Sequence, residues 1–540
     1  MNEIVGNIAD FPVGTMKLVR VDGRRICLVH LSTGVHALDN ACPHEGYGLT
    51  TGYLNDGLLT CAWHNWKFDA ATGACVQGEE DVAAHVVEVA ADGSISVSLA
   101  TADPHVERER RFASLRRGIA DNYSGQIARD VVRLLQAHAN PGELIYEALA
   151  FGAPRGEWGW GHSVAVAADC LAIAGSGEFI GPERAFPVVH AIVGIAEESL
   201  GEAVRPLPDP LRDLPANPSS VFRSLVERED TAGAQSLVLG ALMNDAAPQD
   251  MHAWFLGSMA DHHLSYGHAA IYTQKAFQLL ELIGWDRAQT VLPHLVTGTV
   301  SGTREDLLPP MRPFMRALAA VDLTALAEAP VMAGWNDGGR LLAAVLDSSD
   351  RVAPLTCAID ALRAGAGVDG LLDVVVAAVS ERMLRYDVAT EDDLADDFNW
   401  LDITHGITYA DAARWHHQHS PGPDSIRLAL FCVFLAHWTG RHEWHAGIGE
   451  RGAVAMAGGS LLDEGRRLQR QALLGPGAGF LVQAHAIKTA VAATNEAVRS
   501  SNSLPLQAVE RYLAEKERRR YVAATVRQSI DFVTGRSPRE

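Results

Sequence analysis

Over residues 1–100 the apolar positions come in short runs of β-branched and aromatic side chains: RRICLVHLS, GVHALDNA, GLLTCAWHNWKFD and SISVSL. Turn signals separate them, with Asp-Gly, Thr-Gly or Asn-Asp-Gly at 22–23, 33–34, 55–57, 71–73 and 91–93. Short runs of this composition between such breaks predict strands of a compact all-β domain of roughly a hundred residues. After TADPHVERERR the pattern changes. Apolar residues recur at helical spacing in GQIARDVVRLLQAHA, AGAQSLVLGALM, HAAIYTQKAFQLLELI, MRALAAVDLTALAEA, VDGLLDVVVAAVSERMLRY, IRLALFCVFLAHW and HAIKTAVAATNEAVRS. The expected fold class is therefore multidomain: a small all-β domain (1–100), a linker (101–112) and a large all-α domain (113–540). The proline-rich stretch 204–220 is read as a loop or subdomain break. A charged last helix, from 506 to 530, presents a solvated face or packs on a partner subunit.

Composition narrows the class. A chain of 540 residues is too long for one ordinary domain. Its formal net charge of −21 argues against nucleic acid, whose phosphates need a basic surface. No uncharged apolar run reaches the ~18 residues of a membrane span. The N-terminus lacks the basic and apolar regions of a secretory signal, so a cytoplasmic protein is expected. The seven cysteines are odd in number and scattered, which is no disulfide framework. Histidine is the unusual count, at 22.

Two cysteines sit in a ligand pattern. Within ACPHEGYGLTTGYLNDGLLTCAWHNWKFDAATG the chain reads Cys42-x-His44, sixteen residues, then Cys61-x-x-His64. Two loops that each present one thiolate and one imidazole suit a two-iron cluster, and a zinc site with two Cys and two His is the competing reading. CPHEGYGL, TGYLNDG and CAWHNWKFDAATG closely resemble the Rieske family. That resemblance implies a [2Fe-2S] cluster held by Cys42, His44, Cys61 and His64, with thiolates on one iron and imidazoles on the other. Respiratory members add a disulfide between the two loops. Here Tyr47 and Trp63 stand at those positions, so the ferredoxin and oxygenase branch is implied. Asn65 replaces a customary glycine, and Asn is the residue most tolerant of positive φ after Gly.

A Rieske domain passes electrons singly, so its fusion to a large second part implies an acceptor in the same chain. A mononuclear-iron Rieske oxygenase would show Asp-x-x-His-x-x-x-x-His. This chain offers His263 and His268, but Ala260 replaces the Asp. A di-iron bundle would show Glu-x-x-His, and the nearest string is Asp402-x-x-His405. RHEWHAG adds only His442 and His445 around Glu443. Histidines instead recur on separate apolar helices, four of them as His, one or two small residues, then Ile: His190, His268, His405 and His485. The segments GWGHSVAVAADCLAI, HHLSYGHAAIYTQKA, LPHLVTGTVSG, WLDITHGITYADAARW and VQAHAIKTAVAA resemble the questin oxidase-like family, helical oxidoreductases that act on aromatic polyketides. Carried over by residue, that resemblance implies a further metal site, with non-haem iron favoured, among His162, His268, His294, His405 and His485. His190 and His263 are second candidates. WHHQH (415–419) is read as an exposed helix end or loop. Neither GSGEFIG nor LLGPGAGF follows a strand, so neither makes a dinucleotide fingerprint. An external NAD(P)H-dependent reductase or ferredoxin is then expected to supply electrons for oxygen-dependent oxidation of a small organic substrate, which the questin oxidase-like resemblance implies is aromatic. Two other readings stay open: a mononuclear-iron Rieske oxygenase with a divergent catalytic domain, and a noncatalytic electron carrier or redox sensor with a helical docking domain.

Overall fold

The computed structural model describes residues 3–100, 103–392, 398–452, 454, 456, 458–475, 479–515 and isolated positions after 525. The chain packs as two units. Met1–Gly118 with Tyr123–Ala137 form one, and Ile119–Asn122 with His138–Glu540 the other.

Ten strands build the first unit: β1 (Glu3–Asn7), β2 (Thr15–Val21), β3 (Arg24–Leu31), β4 (Gly34–Asp39), β5 (Tyr53–Asn55), β6 (Leu58–Thr60), β7 (Lys67–Asp69), β8 (Cys75–Gln77), β9 (Ala84–Val89) and β10 (Ser94–Ser98). Six form a sheet in the order β1-β10-β9-β4-β3-β2, and four a smaller sheet in the order β5-β6-β7-β8. The turn signals do their expected work. Asp22-Gly23 and Asp56-Gly57 all have positive φ, as a two-residue hairpin matched to strand twist requires. Strand β3 is buried on both faces because alternate side chains point opposite ways. Ile26 and Leu28 join Phe11, Val21, Ile95 and Val97 in one core. Cys27 and Val29 join Leu38, Leu59, Phe68 and both motif cysteines in the other. The run GLLTCAWHNWKFD is two strands, β6 and β7, parted by the second ligand loop.

Residues 104–112, expected as linker, are helix. Helix α1 (Pro104–Ala120) and helix α2 (Ser124–Gln136) follow the β domain, and residues 104–118 of α1 pack with α2 inside the first unit. The signal lay in VERERRFASL: Glu107 and Arg111 pair one turn apart at 2.6 Å, and Phe112 and Leu115 are buried. The buried Gln126 amide locks the hairpin, donating to the Ser114 carbonyl at 2.7 Å.

The second unit is helical from Pro141–Gly152 to Leu504–Ala514. Among the described residues, extended pairing after residue 100 is confined to the bridge Leu264–Arg304. Four helices carry the argument: α3 (His162–Gly175), α4 (His268–Ile283), α5 (Trp400–His419) and α6 (Phe480–Ser500). They form a closed ring, with α3 on α4, α4 on α5, α5 on α6 and α6 on α3. The expected helix MRALAAVDLTALAEA divides into Arg312–Leu318 and Leu323–Ala327, because the Asp322 side chain caps the second piece at Ala325 N, 3.0 Å. The proline-rich stretch is loop as far as Asn217. The charged last helix is described to Ala514, and most of its remainder lies outside the described residues. No described helix is long and apolar enough to cross a membrane.

Candidate metal centres

In the first unit the two ligand loops are built alike. Cys42 N donates to Tyr47 O and Cys61 N to Trp66 O, each at 2.8 Å. Each loop turns back at the fourth residue after its cysteine, through Gly46 (φ 78°) and Asn65 (φ 62°). The expected left-handed Asn65 is thus present. Cys42 and Cys61 are buried, and His44 and His64 stand further out. The two Nδ1 atoms face each other at 2.9 Å. Tyr47 and Trp63 stack at 4.4 Å and 17°. They tie the loops where a disulfide would stand in respiratory relatives. Trp66 stacks on the His44 ring at 5.1 Å, and Gly78 permits this, since a Cβ there would lie 2.6 Å from the indole.

The donor set fits a two-iron cluster. Backbone N–H groups of His44 and Glu45 point at the Cys42 sulfur, and the Cys61 thiol adjoins it. Burial, reinforced by Cys61, pushes the Cys42 thiol up to about 12. Such a thiol ionises only for a cation bound against it. His44 is held below its ordinary value by burial and by His64, which keeps the imidazole neutral and able to ligate.

In the second unit the four-helix ring brings together His162, His268, His405 and His485. His405 Nε2 lies 2.9 Å from His268 Nε2 and 3.3 Å from His485 Nε2. His162, His268 and His485 offer nitrogens that all lie within 4.8 Å of one another. The opposite nitrogens are committed. His268 Nδ1 meets Ser265 O at 2.5 Å, His405 Nδ1 meets Leu401 O at 2.5 Å, and His485 Nδ1 meets Leu481 O at 2.7 Å. A ring nitrogen facing a carbonyl must carry the proton. All three Nε2 atoms are then lone-pair acceptors aimed at one another, and the buried His162 Nε2 has no hydrogen-bond partner. Converging acceptors repel unless a cation lies between them.

Burial, with Lys488 next, holds all four imidazoles neutral, His268 down to about 3 and the other three well below their ordinary value. The Lys488 Nζ is itself buried without a hydrogen-bond partner and is pushed down to about 7. Tyr272 lies 5.1 Å from His268 and 5.7 Å from His162, ring to ring. Behind the group run buried polar pairs, Lys275 to Asp169 at 2.7 Å and Gln274 to Asp411 at 2.9 Å.

Local structure aims each histidine. His162 opens α3, where Glu198 accepts from the backbone N–H of His162 and Ser163 at 3.1 and 3.2 Å. His268 opens α4 after three successive positive-φ residues, Ser265, Tyr266 and Gly267. A Cβ at Gly267 would lie 2.5 Å from the Tyr409 ring. Asp402, the acidic partner in the string before His405, serves elsewhere. It accepts from Asn399 N as half of the capping box of α5, and from Arg441 at 3.0 Å.

Other histidines stand outside this group. His294 lies edge-on to Trp160 at 6.2 Å, held down to about 4 by burial. His190 is likewise held neutral by burial. His263 is fully buried 2.7 Å from Glu305, among Tyr409, Phe431 and Phe434. WHHQH is the last turn of α5, and the expectation of an exposed end holds for His419 but not for His416. The latter is buried, 2.9 Å from Ala270 O and 2.8 Å from His252 Nε2. Lys488, Tyr272 and Glu198 were missed in the sequence. The first two follow His485 and His268 by one helical turn, which was a readable signal, whereas Glu198 had none. Beside His268 opens a cavity of about 320 Å³, lined among others by Tyr266, Glu305, Met311, Phe434 and Trp438.

Residues 2–89 match the family model of the Rieske [2Fe-2S] domain. They are a Rieske [2Fe-2S] domain, and the two loops above lie inside the matched stretch. The chain is 29% identical over 82 residues to the ferredoxin component of the naphthalene 1,2-dioxygenase/salicylate 5-hydroxylase systems of Ralstonia sp., covering 15% of this chain and 79% of that one. It is 38% identical over 63 residues to a 4beta-methylsterol monooxygenase of Methylococcus capsulatus, and spans 17% of that protein's length. Among solved structures, the ferredoxin of carbazole 1,9a-dioxygenase from Nocardioides aromaticivorans is 25% identical, matched over 18% of this chain and 99% of that chain, with a TM-score of 0.18.

Proposed function

We propose that this chain is an iron–sulfur oxidoreductase in which the Rieske domain feeds electrons to a non-haem iron held by His162, His268, His405 and His485, for oxygen-dependent oxidation of a small organic substrate. One observation carries the second metal: three imidazoles whose Nδ1 protons are spent on backbone carbonyls bring the Nε2 of His405 to within 2.9 Å of the His268 Nε2 and 3.3 Å of the His485 Nε2. Neutral imidazoles suit iron, and the electrons available favour a metal that can change oxidation state. When bound, the cluster supplies single electrons and the iron supplies a place to reduce oxygen.

The chain's own residues do the rest. Cys42 and Cys61 supply thiolates, while His44 and His64 stand at the more exposed edge where a donor can approach. The Ser265, Leu401 and Leu481 carbonyls fix the tautomers of their histidines. The cavity beside His268 offers an apolar and aromatic bed, with the Glu305 carboxylate and the Tyr266 phenol as polar groups to orient a ligand. That lining, with the resemblance to questin oxidase-like proteins, supports an aromatic substrate. An external NAD(P)H-dependent reductase or ferredoxin is the proposed electron source.

Metal analysis of the purified full chain tests the reading. More than two irons per chain are expected, with only the excess lost in His268→Ala and His405→Ala. Two irons per chain, unchanged by either substitution, would sink the second site.

A further inference from the structure

Helix α2 lies outside the stretch that matches the Rieske family, yet it reaches the first cluster-binding loop. Arg129 Nη1 donates to the backbone carbonyl of His44 at 2.5 Å. The guanidinium also lies over the Tyr123 ring, 5.6 Å from its centroid, and that ring is 6.4 Å from the His44 ring. Arg129 is half-buried, and its Nε is buried without a hydrogen-bond partner. The hairpin that carries it is fixed to the domain by buried charge. Glu80, two residues beyond the Gly78 that admits Trp66, accepts from Arg111 and from Arg133, the latter at 2.6 Å. Its side chain is 6% exposed.

We propose that Arg129 is a positioning residue for the cluster, bracing the His44 loop through its carbonyl and holding a fixed positive charge beside it that raises the reduction potential. The physical ground is simple. Reduction adds a negative charge, and a nearby cation stabilises it; the net charge and hydrogen bonding around a cluster set its potential. Glu45 and Glu79, the acidic neighbours of His44, are exposed and therefore screened by water and salt, whereas a half-buried guanidinium is screened less. The appended hairpin thus makes the domain a readier electron acceptor than its own loops alone would.

The test is a redox titration of the full chain, followed through the electron paramagnetic resonance signal of the reduced cluster. Arg129→Gln should lower the midpoint, so that at the wild-type midpoint the ratio of reduced to oxidised cluster falls at least threefold, about 28 mV for one electron. Arg129→Lys, which keeps the charge, should stay near wild type. An unchanged midpoint in R129Q, or an equal fall in R129K, overturns the charge role. Should R129Q fail to hold the cluster, Arg129→Met carries the same expectation. Loss of the cluster in both while R129K retains it reduces Arg129 to a loop prop, which also overturns the proposal.

Discussion

At the scale of single residues, the N-terminal centre rests on a few backbone conformations and two kinds of donor. Asn65 at φ 62° occupies a left-handed position that β-branched side chains avoid. Asn65→Gly should keep the cluster spectrum and stability. Asn65→Val should cost about 1–2 kcal/mol and weaken cluster retention, measured by denaturant unfolding and iron content. The four grouped histidines of the second unit, His162, His268, His405 and His485, make a pH prediction. In metal-free protein they stay neutral where an unfolded chain would take up protons, between the ordinary value near 6.5 and the folded value, about 3 for His268. Stability rises with pH wherever the unfolded state binds more protons. Metal-free protein should therefore be most stable above about pH 6.5 and lose stability steadily as pH falls toward 3. Thermal midpoints taken from pH 8 down to pH 4 check this, and a flat profile would contradict the neutral, buried assignment.

At the scale of elements, the caps aim the ligands. Asn399 caps the first turn of α5, six residues before His405, a proposed ligand, is reached in the next turn. Asn399→Ala should cost about 1 kcal/mol. It should also speed iron loss from the proposed helical site while leaving the Rieske signal intact, read by metal release to a chelator. Gly267→Ala should do more. Its Cβ would strike Tyr409 and its φ is 86°, so α4 must shift with His268 at its head. Both the melting temperature and the iron content assigned to the proposed helical site should fall, the iron by more than in Asn399→Ala.

At the scale of the whole molecule, two donor sets sit in two separately packed units, so they should fill independently. Cys61→Ser should abolish the Rieske resonance and two irons while the iron of the helical site remains. His405→Ala should show the reverse. On the proposed function, either change should stop oxygen-dependent turnover supported by an external reductase. Turnover that survives the loss of the cluster would separate the helical chemistry from the Rieske feed.

The sequence by itself determined the local features. The Cys-x-His and Cys-x-x-His pattern of Cys42, His44, Cys61 and His64 was legible because one short hairpin-rich segment contains all four and two tight loops set their spacing. The turn pairs, the left-handed Asn65 and most helix positions were legible for the same reason: near neighbours decide them. The tertiary structure alone decided which distant histidines meet. His162, His268, His405 and His485 come from four helices across more than three hundred residues, and helical periodicity says that a side chain faces inward without saying what it faces. His294 shares their apolar setting and packs on Trp160 instead. Asp402 looked like half of a metal motif, and the helix start claimed it as a cap. The same limit hid the α1–α2 hairpin. Its amphipathic pattern was present in the chain, but only the fold shows Arg129 brought to the His44 carbonyl, 85 residues away.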